Sequence, residues 1–218
     1  MKGCFCALLI FLSGYLSGQT TDAVTTNQDP PIYNDISGTP YVLTDWKEAT
    51  IRFSSGRLAT QFRIKFDCIK NQVMLQFEGN SFATQSKIRE FVIYPKSRKE
   101  IDSMLFRKGF PVTDKANEET FYQVLLEGKT ELLCLYLKQI TEEQQIASKI
   151  IYRRIRDEKV FYLLKDQAMI QLPSDRATFS DVFYGHAEKI KQFVNEKQLK
   201  LRDAEDYKKV VEYYNSLL

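Results

Sequence analysis

The single histidine of this chain, His186, is the first residue to consider for catalysis. Histidine is the commonest general acid or base, because it titrates near neutral pH. His186 stands three residues after Phe183 and four before Ile190, which places it on the apolar stripe of a predicted helix. The sequence contains no G-x-S-x-G nucleophile elbow. The pattern favours a histidine at the edge of a core, and we predict no catalytic residue.

Two of the four cysteines, Cys68 and Cys134, lie outside the N-terminal apolar segment. Each continues an apolar alternation that is typical of a buried strand face. In an oxidising compartment a disulfide between them would stabilise the fold by roughly 4 kcal/mol in the chain-entropy model. Two separately buried thiols fit the pattern at least as well, since cysteine packs as a small hydrophobe.

Metal and cofactor motifs are missing from the sequence. It has no HExxH, no D-x-D-x-D-G loop and, after residue 18, no C-x-x-C pair. Its glycines occur singly, so no phosphate-cradling loop opens a helix. We therefore predict no metal site and no cofactor. Two carboxylates from distant parts of the chain could still form a glycosidase site, which leaves no local motif.

Aromatic residues are abundant, with 15 Phe and 12 Tyr. Aromatic rings can form a platform for sugars or line a site for apolar ligands. Phenylalanines in register with aliphatic residues are expected in the core: Phe53, Phe62, Phe66 and Phe77. Tyrosines are better candidates for a ligand-facing surface, because a buried phenol needs a hydrogen-bond partner. Those candidates are Tyr94, Tyr136, Tyr152 and Tyr162.

The N-terminus has the order of a secretory signal peptide: Lys2, the apolar run CALLIFL, and small residues around SGYLSGQ. We expect residues 1–18 to be the signal, so that the protein is exported to the periplasm or the cell exterior. Residues 19–37 are polar and aperiodic, as in a flexible leader. Basic and acidic residues nearly balance, 31 against 28, and are dispersed. That balance argues against a nucleic-acid partner, and no later apolar run is long enough to span a membrane.

Residues 38–218 have the pattern of one β-rich domain. The stretch FRIKFDCIKNQVMLQF (62–77) alternates as a β-hairpin does, and similar segments recur up to residue 171. Short links such as EGKT and RDEKV force antiparallel neighbours. We predict a mainly β (α+β) fold, with an antiparallel meander of about nine or ten strands that is curved or barrel-like.

The polar face of the 62–77 hairpin carries Arg63, Lys65, Asp67 and Gln76. We expect Arg63, Lys65 and Asp67 to meet solvent.

Two amphipathic helices are expected after Pro173, over about 179–218. The first has a stripe that includes Phe183, His186 and Ile190, and in the second Asp203 can cap the N-terminus. We expect both helices to dock on the sheet, at one end or across its open edge.

Three stretches, GTPYVLTDWKEATIRFSSGR, KFDCIKNQVMLQF and LRDAEDYKKVVEYYNSLL, resemble small exported proteins of Bacteroidota-type bacteria for which no activity is known. The resemblance implies export, a bacterial origin and a strand-rich body with a helical end. Function is then best predicted as a non-enzymatic binding or envelope-interaction module, with a cell-envelope protein, glycan or lipid as partner. The alternatives are a carrier of a small apolar ligand in a barrel cavity and a carbohydrate-active hydrolase with paired carboxylates.

Overall fold

The computed structural model describes residue 33 and residues 36–84, 86–96, 103–144 and 151–218. The predicted signal peptide and nearly all of the predicted leader lie outside the described residues. The strands are β1 (Ile36–Ser37), β2 (Lys47–Phe53), β3 (Leu58–Ala59), β4 (Arg63–Asp67), β5 (Gln72–Phe77), β6 (Asn80–Ala83), β7 (Ile88–Tyr94), β8 (Met104–Arg107), β9 (Tyr122–Leu126), β10 (Glu131–Gln144), β11 (Ile151–Lys165) and β12 (Ala168–Gln171). The helices are α1 (Ala187–Glu196) and α2 (Ala204–Leu217), preceded by a 3-10 turn at Phe179–Val182.

The twelve strands form one mixed sheet in the order β1-β11-β10-β9-β8-β7-β2-β4-β5-β6, with β12 also on β11 and β3 also on β2. The mainly β class with two C-terminal helices is confirmed. The purely antiparallel meander is wrong in part, because β1 pairs in parallel with β11 through Ile36 and Arg153. Strand β1 has only two residues, which is too short for a periodic pattern, so the sequence could not predict this pairing. The sheet is not closed, and the barrel-like shape is not confirmed.

Strands β10 and β11 form a hairpin that is longer than the sequence predicted. They pair continuously from Glu131 with Leu164 to Gln144 with Ile151. The predicted turn at RDEKV is wrong, because residues 156–160 continue β11. Most side chains of β11 before Val160 are exposed, so the charges there belong to a projecting strand. The polar residues 156–159 belong to a strand that is exposed on both faces. A sequence pattern alone does not distinguish such a strand from a turn.

The sheet has an inner face, which carries Ala49 and Ile51 on β2, and an outer face, which carries Thr50 on the same strand. Strands β4 to β6 fold over the inner face of β2, β7 and β8. Phe66 of β4 thereby lies 5.4 Å, between ring centroids, from both Phe91 of β7 and Phe106 of β8. All three rings are buried, and they form the centre of the first core.

The four phenylalanines that we expected in the core differ in their burial. Phe53 and Phe66 are buried, and Phe62 is partly buried against the same core. Phe77 is 42 % exposed, because it is the last residue of β5 and the core ends before it.

The second half of the sheet is covered on both faces. The two helices and the 3-10 turn pack on the inner face of β10 and β11, against Leu132, Cys134, Phe161 and Leu163. On the outer face, Phe110 and Ala116 of the segment 108–121 pack against strand residues such as Leu133 and Tyr162. The helices therefore dock on a sheet face and not on a sheet edge.

The C-terminal helices differ in how well the sequence predicted them. Asp203 caps α2 as expected, since its Oδ1 accepts a hydrogen bond from the Asp206 amide at 3.0 Å. The first helix begins at Ala187, well after the predicted start. Gly185 adopts a φ of +77°, a left-handed conformation that a right-handed helix cannot pass through. No helix within the described ranges has both the length and the apolar character that crossing a membrane would require.

Candidate functional site

The outer face of β2 and β7 stays open to solvent. Glu48 lies opposite Tyr94, Thr50 opposite Val92, and Arg52 opposite Glu90. These side chains are partly or fully exposed, whereas the alternate residues of β2, Ala49, Ile51 and Phe53, are buried in the first core. Period-two alternation along β2 therefore places a polar surface directly behind a packed core.

A groove of about 800 Å³ opens at one end of this face. We call it the Trp46 groove, and it is lined by Thr44, Asp45, Trp46, Lys47, Glu48, Arg63, Lys65, Gln76, Tyr94 and Lys96. Four of these side chains are basic and two are acidic. The groove thus has an excess of positive charge around an indole ring.

The basic groups of the groove are held close to aromatic and backbone groups. The Lys65 Nζ lies 4.9 Å from the ring centroid of Tyr41 and 5.3 Å from that of Trp46, which is the range of a cation–π contact. Arg63 donates from Nη2 to the carbonyl oxygen of Trp46 at 2.6 Å. The Lys47 Nζ is 3.6 Å from the Asp45 Oδ2. Lys65 is therefore held beside the indole, and Arg63 is held at the backbone of the same residue.

The polar face of the 62–77 hairpin is divided by the structure. Arg63 is exposed, as predicted, and Lys65 is partly buried in the groove. The prediction that Asp67 meets solvent is wrong, because its side chain is fully buried. Its Oδ1 accepts hydrogen bonds from the amides of Ile69 and Lys70 at 2.9 and 3.0 Å, and its Oδ2 accepts one from the Tyr33 hydroxyl at 2.8 Å. Asp67 stabilises the turn after β4, as Asp does in Asx turns.

The four candidate tyrosines do not lie together. Tyr94 lines the Trp46 groove, where its hydroxyl is 3.2 Å from Thr50 Oγ1. Tyr136 packs against both the first core and the core that the two helices form with β10 and β11. Its hydroxyl donates to Gln123 Oε1 at 2.8 Å. Tyr152 is exposed on the projecting hairpin, and Tyr162 is buried on the outer face of β11. Of the four, Tyr94 is the one that reaches the groove.

Cys68 and Cys134 are free thiols in the structure. Burial raises the pKa of each to about 12, and each thiol packs near Tyr136. The disulfide stays a prediction, and in the free form both thiols are poor nucleophiles.

His186 lies directly before α1 and stacks edge-on against Tyr214, with ring centroids 5.8 Å apart. Its Nδ1 is buried and has no hydrogen-bond partner within the described residues. In the same part of the chain, no group of three His, Cys, Asp or Glu side chains could hold a metal ion. The geometry around His186 is that of a residue packed at a core edge.

Most of the groove could not be predicted from the sequence. Trp46, Lys47 and Lys96 received no role there, although the lone tryptophan of the chain stands next to a lysine at the start of β2. That local pair was the one available signal. The other lining residues come from four separate segments, so only the fold brings them together.

Comparisons with protein-family models, with curated proteins and with solved structures find no match to this chain.

Proposed function

We propose that this protein is an exported binding module whose Trp46 groove holds an acidic glycan. The observation that carries the proposal is the combination of an indole with four basic side chains in one open groove. Aromatic faces stack on the apolar faces of sugar rings, and lysine and arginine pair with the carboxylates of uronic acids. An acidic glycan of the cell envelope or its surroundings supplies both features.

The arrangement of the groove also supports an extended ligand. Its lining runs across the ends of β2, β4, β5 and β7, so a chain molecule can lie over several strands. The groove is broad and open, and ligand units can enter it from the side. An apolar-ligand carrier would instead need interior space, whereas Phe66, Phe91 and Phe106 fill the first core by packing on one another.

The experiment is titration of the folded protein with polygalacturonate, a carboxylated glycan, and with dextran as a neutral control, by isothermal calorimetry at low and physiological salt. We expect binding to polygalacturonate that weakens as salt rises, because exposed charges are screened. Dextran should bind far more weakly. Equal binding of both polymers, or of neither, would contradict the proposal.

Variants of the groove sharpen this test. Lys65→Gln and Trp46→Ala should each weaken polygalacturonate binding by about five- to tenfold, which corresponds to about 1 to 1.4 kcal/mol. Lys209→Gln is the matched control, since Lys209 is an exposed lysine on α2, far from the groove in the fold. If Lys209→Gln weakens binding as much as Lys65→Gln, the groove is not the site.

A further inference from the structure

A second polar pocket lies on the same outer face, at the other end of β2. We call it the arginine pocket; it is lined by Arg52, Arg89, Glu90 and Arg107 and has a volume of about 430 Å³. Arg52, Glu90 and Arg107 stand opposite one another on β2, β7 and β8. Three arginines and one carboxylate therefore line the same pocket.

Glu90 occupies only part of the donor capacity of these arginines. Its Oε1 accepts from Arg52 Nε at 2.8 Å and its Oε2 accepts from Arg107 Nε at 2.9 Å. Arg107 also reaches Glu127 through Nη1 at 3.0 Å. Each guanidinium has five N–H donors, so the outer forks of Arg52 and Arg107 keep donors beyond these contacts. Glu90 thus fixes the two guanidinium planes and leaves donors for another acceptor.

Arg89 adds a third guanidinium because of a β-bulge. Arg52 pairs with Glu90 while the next residue, Phe53, pairs with Ile88, so Arg89 is an extra residue in β7. A bulge of this kind re-aims the side chain of the extra residue, and bulges are over-represented next to functional sites. Within the described residues, the Arg89 guanidinium has no hydrogen-bond or ion-pair partner.

The pocket and the Trp46 groove lie on one continuous surface. Glu48 of the groove and Arg52 of the pocket are four residues apart on β2, which is about 13 Å along a strand. Between them on the outer face are Thr50 and Val92, which are both partly exposed. An extended ligand in the groove can therefore reach the pocket without leaving the sheet.

We propose that the arginine pocket binds a tetrahedral oxyanion group, sulfate or phosphate, carried by the same glycan. This inference rests on the proposed function and names the substituent that the ligand bears. Guanidinium forks match such oxyanions, because two parallel N–H groups can reach two oxygens of one group. Three arginines from three strands can approach the oxyanion from different sides. Glu90 and Glu127 are engaged by Arg52 and Arg107, and Arg89 adds a third guanidinium to the pocket.

The experiment compares three polymers with the full chain: dextran sulfate, phosphorylated dextran and polygalacturonate. We expect Arg89→Gln to weaken binding of a sulfated or phosphorylated dextran by about tenfold and to change polygalacturonate binding by less than about twofold. The polymer that loses affinity identifies the oxyanion. Arg89→Lys keeps the charge but loses the fork, and it should recover less than half of the lost binding free energy. Lys209→Gln is again the matched control, and thermal unfolding checks that each variant is folded.

Two patterns would overturn the inference: an equal effect of Arg89→Gln on all three polymers, or no effect on any. Trp46→Ala separates this inference from the proposed function. If Arg89→Gln weakens dextran sulfate binding and Trp46→Ala changes no polymer, the pocket is supported and the groove is wrong. If Trp46→Ala weakens all three and Arg89→Gln none, the groove is supported and the pocket is wrong.

Discussion

One row of side chains on the outer face crosses the sheet from open surface to buried core. Thr50 and Val92 at one end are partly exposed, whereas Leu133 is fully buried and Tyr162 is 1 % exposed at the other end. The strands on both sides obey the same alternation. What differs is the cover, because segment 108–121 packs on the outer face of β9 to β11 and not on that of β2 and β7.

This difference is the reason why we propose a binding site on the open half. The covered half uses both sheet faces for packing, so its residues are apolar on both faces, as in LLCLYL of β10. The open half packs one face only, and the other face carries the Trp46 groove and the arginine pocket. Stability is thus expected from both halves, and recognition from the open half.

The largest effect should come from removing one aromatic ring from each core. Phe66→Ala in the first core and Phe183→Ala under the helices should each lower the free energy of unfolding by about 3–5 kcal/mol, because both rings are buried and leave cavities. Tyr136 packs against both cores, so we expect one cooperative transition. Urea unfolding followed by circular dichroism and by Trp46 fluorescence checks this. Separate midpoints for the two signals would show that the halves unfold independently.

Alkylation of the two thiols should be much slower in the folded protein than in the unfolded protein. Burial raises the pKa of Cys68 and Cys134 to about 12 from an ordinary value of 9.0. The thiolate fraction at pH 7.5 is then about a thousandfold lower in the folded state. Mass spectrometry after alkylation without reductant should show slow labelling of the folded protein and rapid labelling of both cysteines in urea. A failure of both to react in urea would instead establish the disulfide.

Asn215 connects a helix to the sheet in the covered half through its side-chain amide. It accepts from the Thr130 amide and donates to the Thr130 carbonyl, both at 2.9 Å, and so joins α2 to the link between β9 and β10. Asn215→Ala should lower the free energy of unfolding by about 1–3 kcal/mol, because it leaves two partly buried backbone groups without partners. Thermal and urea unfolding measure the loss.

Gly128 provides a control for this contact. A Cβ at Gly128 would stand 2.8 Å from Asn215 Nδ2, so Gly128→Ala should disturb the same bonds. In an Asn215→Ala background, Gly128→Ala should cost less than it does in the natural chain. Additive effects of the two substitutions would argue against the contact.

Glu90 should give the open half a pH dependence. Burial by itself raises the pKa of Glu90, but hydrogen bonds from Arg107 and Arg52 outweigh it and leave that pKa below its ordinary value. Its stabilising contribution is therefore present above the unfolded-state pKa near 4.3 and is lost as pH falls through the lower folded-state value. Glu90→Gln should cost about 1 kcal/mol at pH 7 and less at pH 3. A constant difference between pH 7 and pH 3 would contradict this.

The smallest effect, and one of opposite sign, is expected for Glu131 at the start of β10. Burial raises the pKa of its carboxyl, and its Oε2 has no hydrogen-bond partner among the described residues. The ionised form is therefore penalised in the folded protein above the raised pKa, and the penalty disappears as pH falls below the unfolded-state value. Glu131→Gln should raise the free energy of unfolding by about 0.5 kcal/mol at pH 7. Urea titrations at pH 7 and pH 4 test it, and destabilisation at pH 7 would show that the carboxylate has a favourable partner.

Local chemistry made part of the fold predictable. The hairpin of β4 and β5, with a turn between them, follows from strict alternation around IKN, and α2 follows from Asp203 and its apolar stripe. Both signals lie within a few residues of the structure that they specify. Patterns of this kind predict elements well and say little about which elements cover which.

The remaining features depend on contacts between distant segments. The Trp46 groove collects residues from 44–48, 63–65, 76 and 94–96, and no short pattern contains them. The role of Arg89 depends on a bulge whose partner strand is almost forty residues away. Asp67 was expected in solvent because its alternation matched Arg63 and Lys65, but turn hydrogen bonds and Tyr33 bury it. Position along a strand predicted its face, and tertiary contacts decided its exposure.

The parallel pairing of β1 with β11 has a consequence for the order of folding. Ile36 lies far from Arg153, its partner in the sheet, along the sequence. Thr39 is likewise far along the sequence from Lys138, whose Nζ donates to the Thr39 carbonyl at 3.2 Å. Such distant contacts close large loops and form slowly. We therefore expect the beginning of the described chain to join the sheet late in folding, after the hairpin of β10 and β11 has paired.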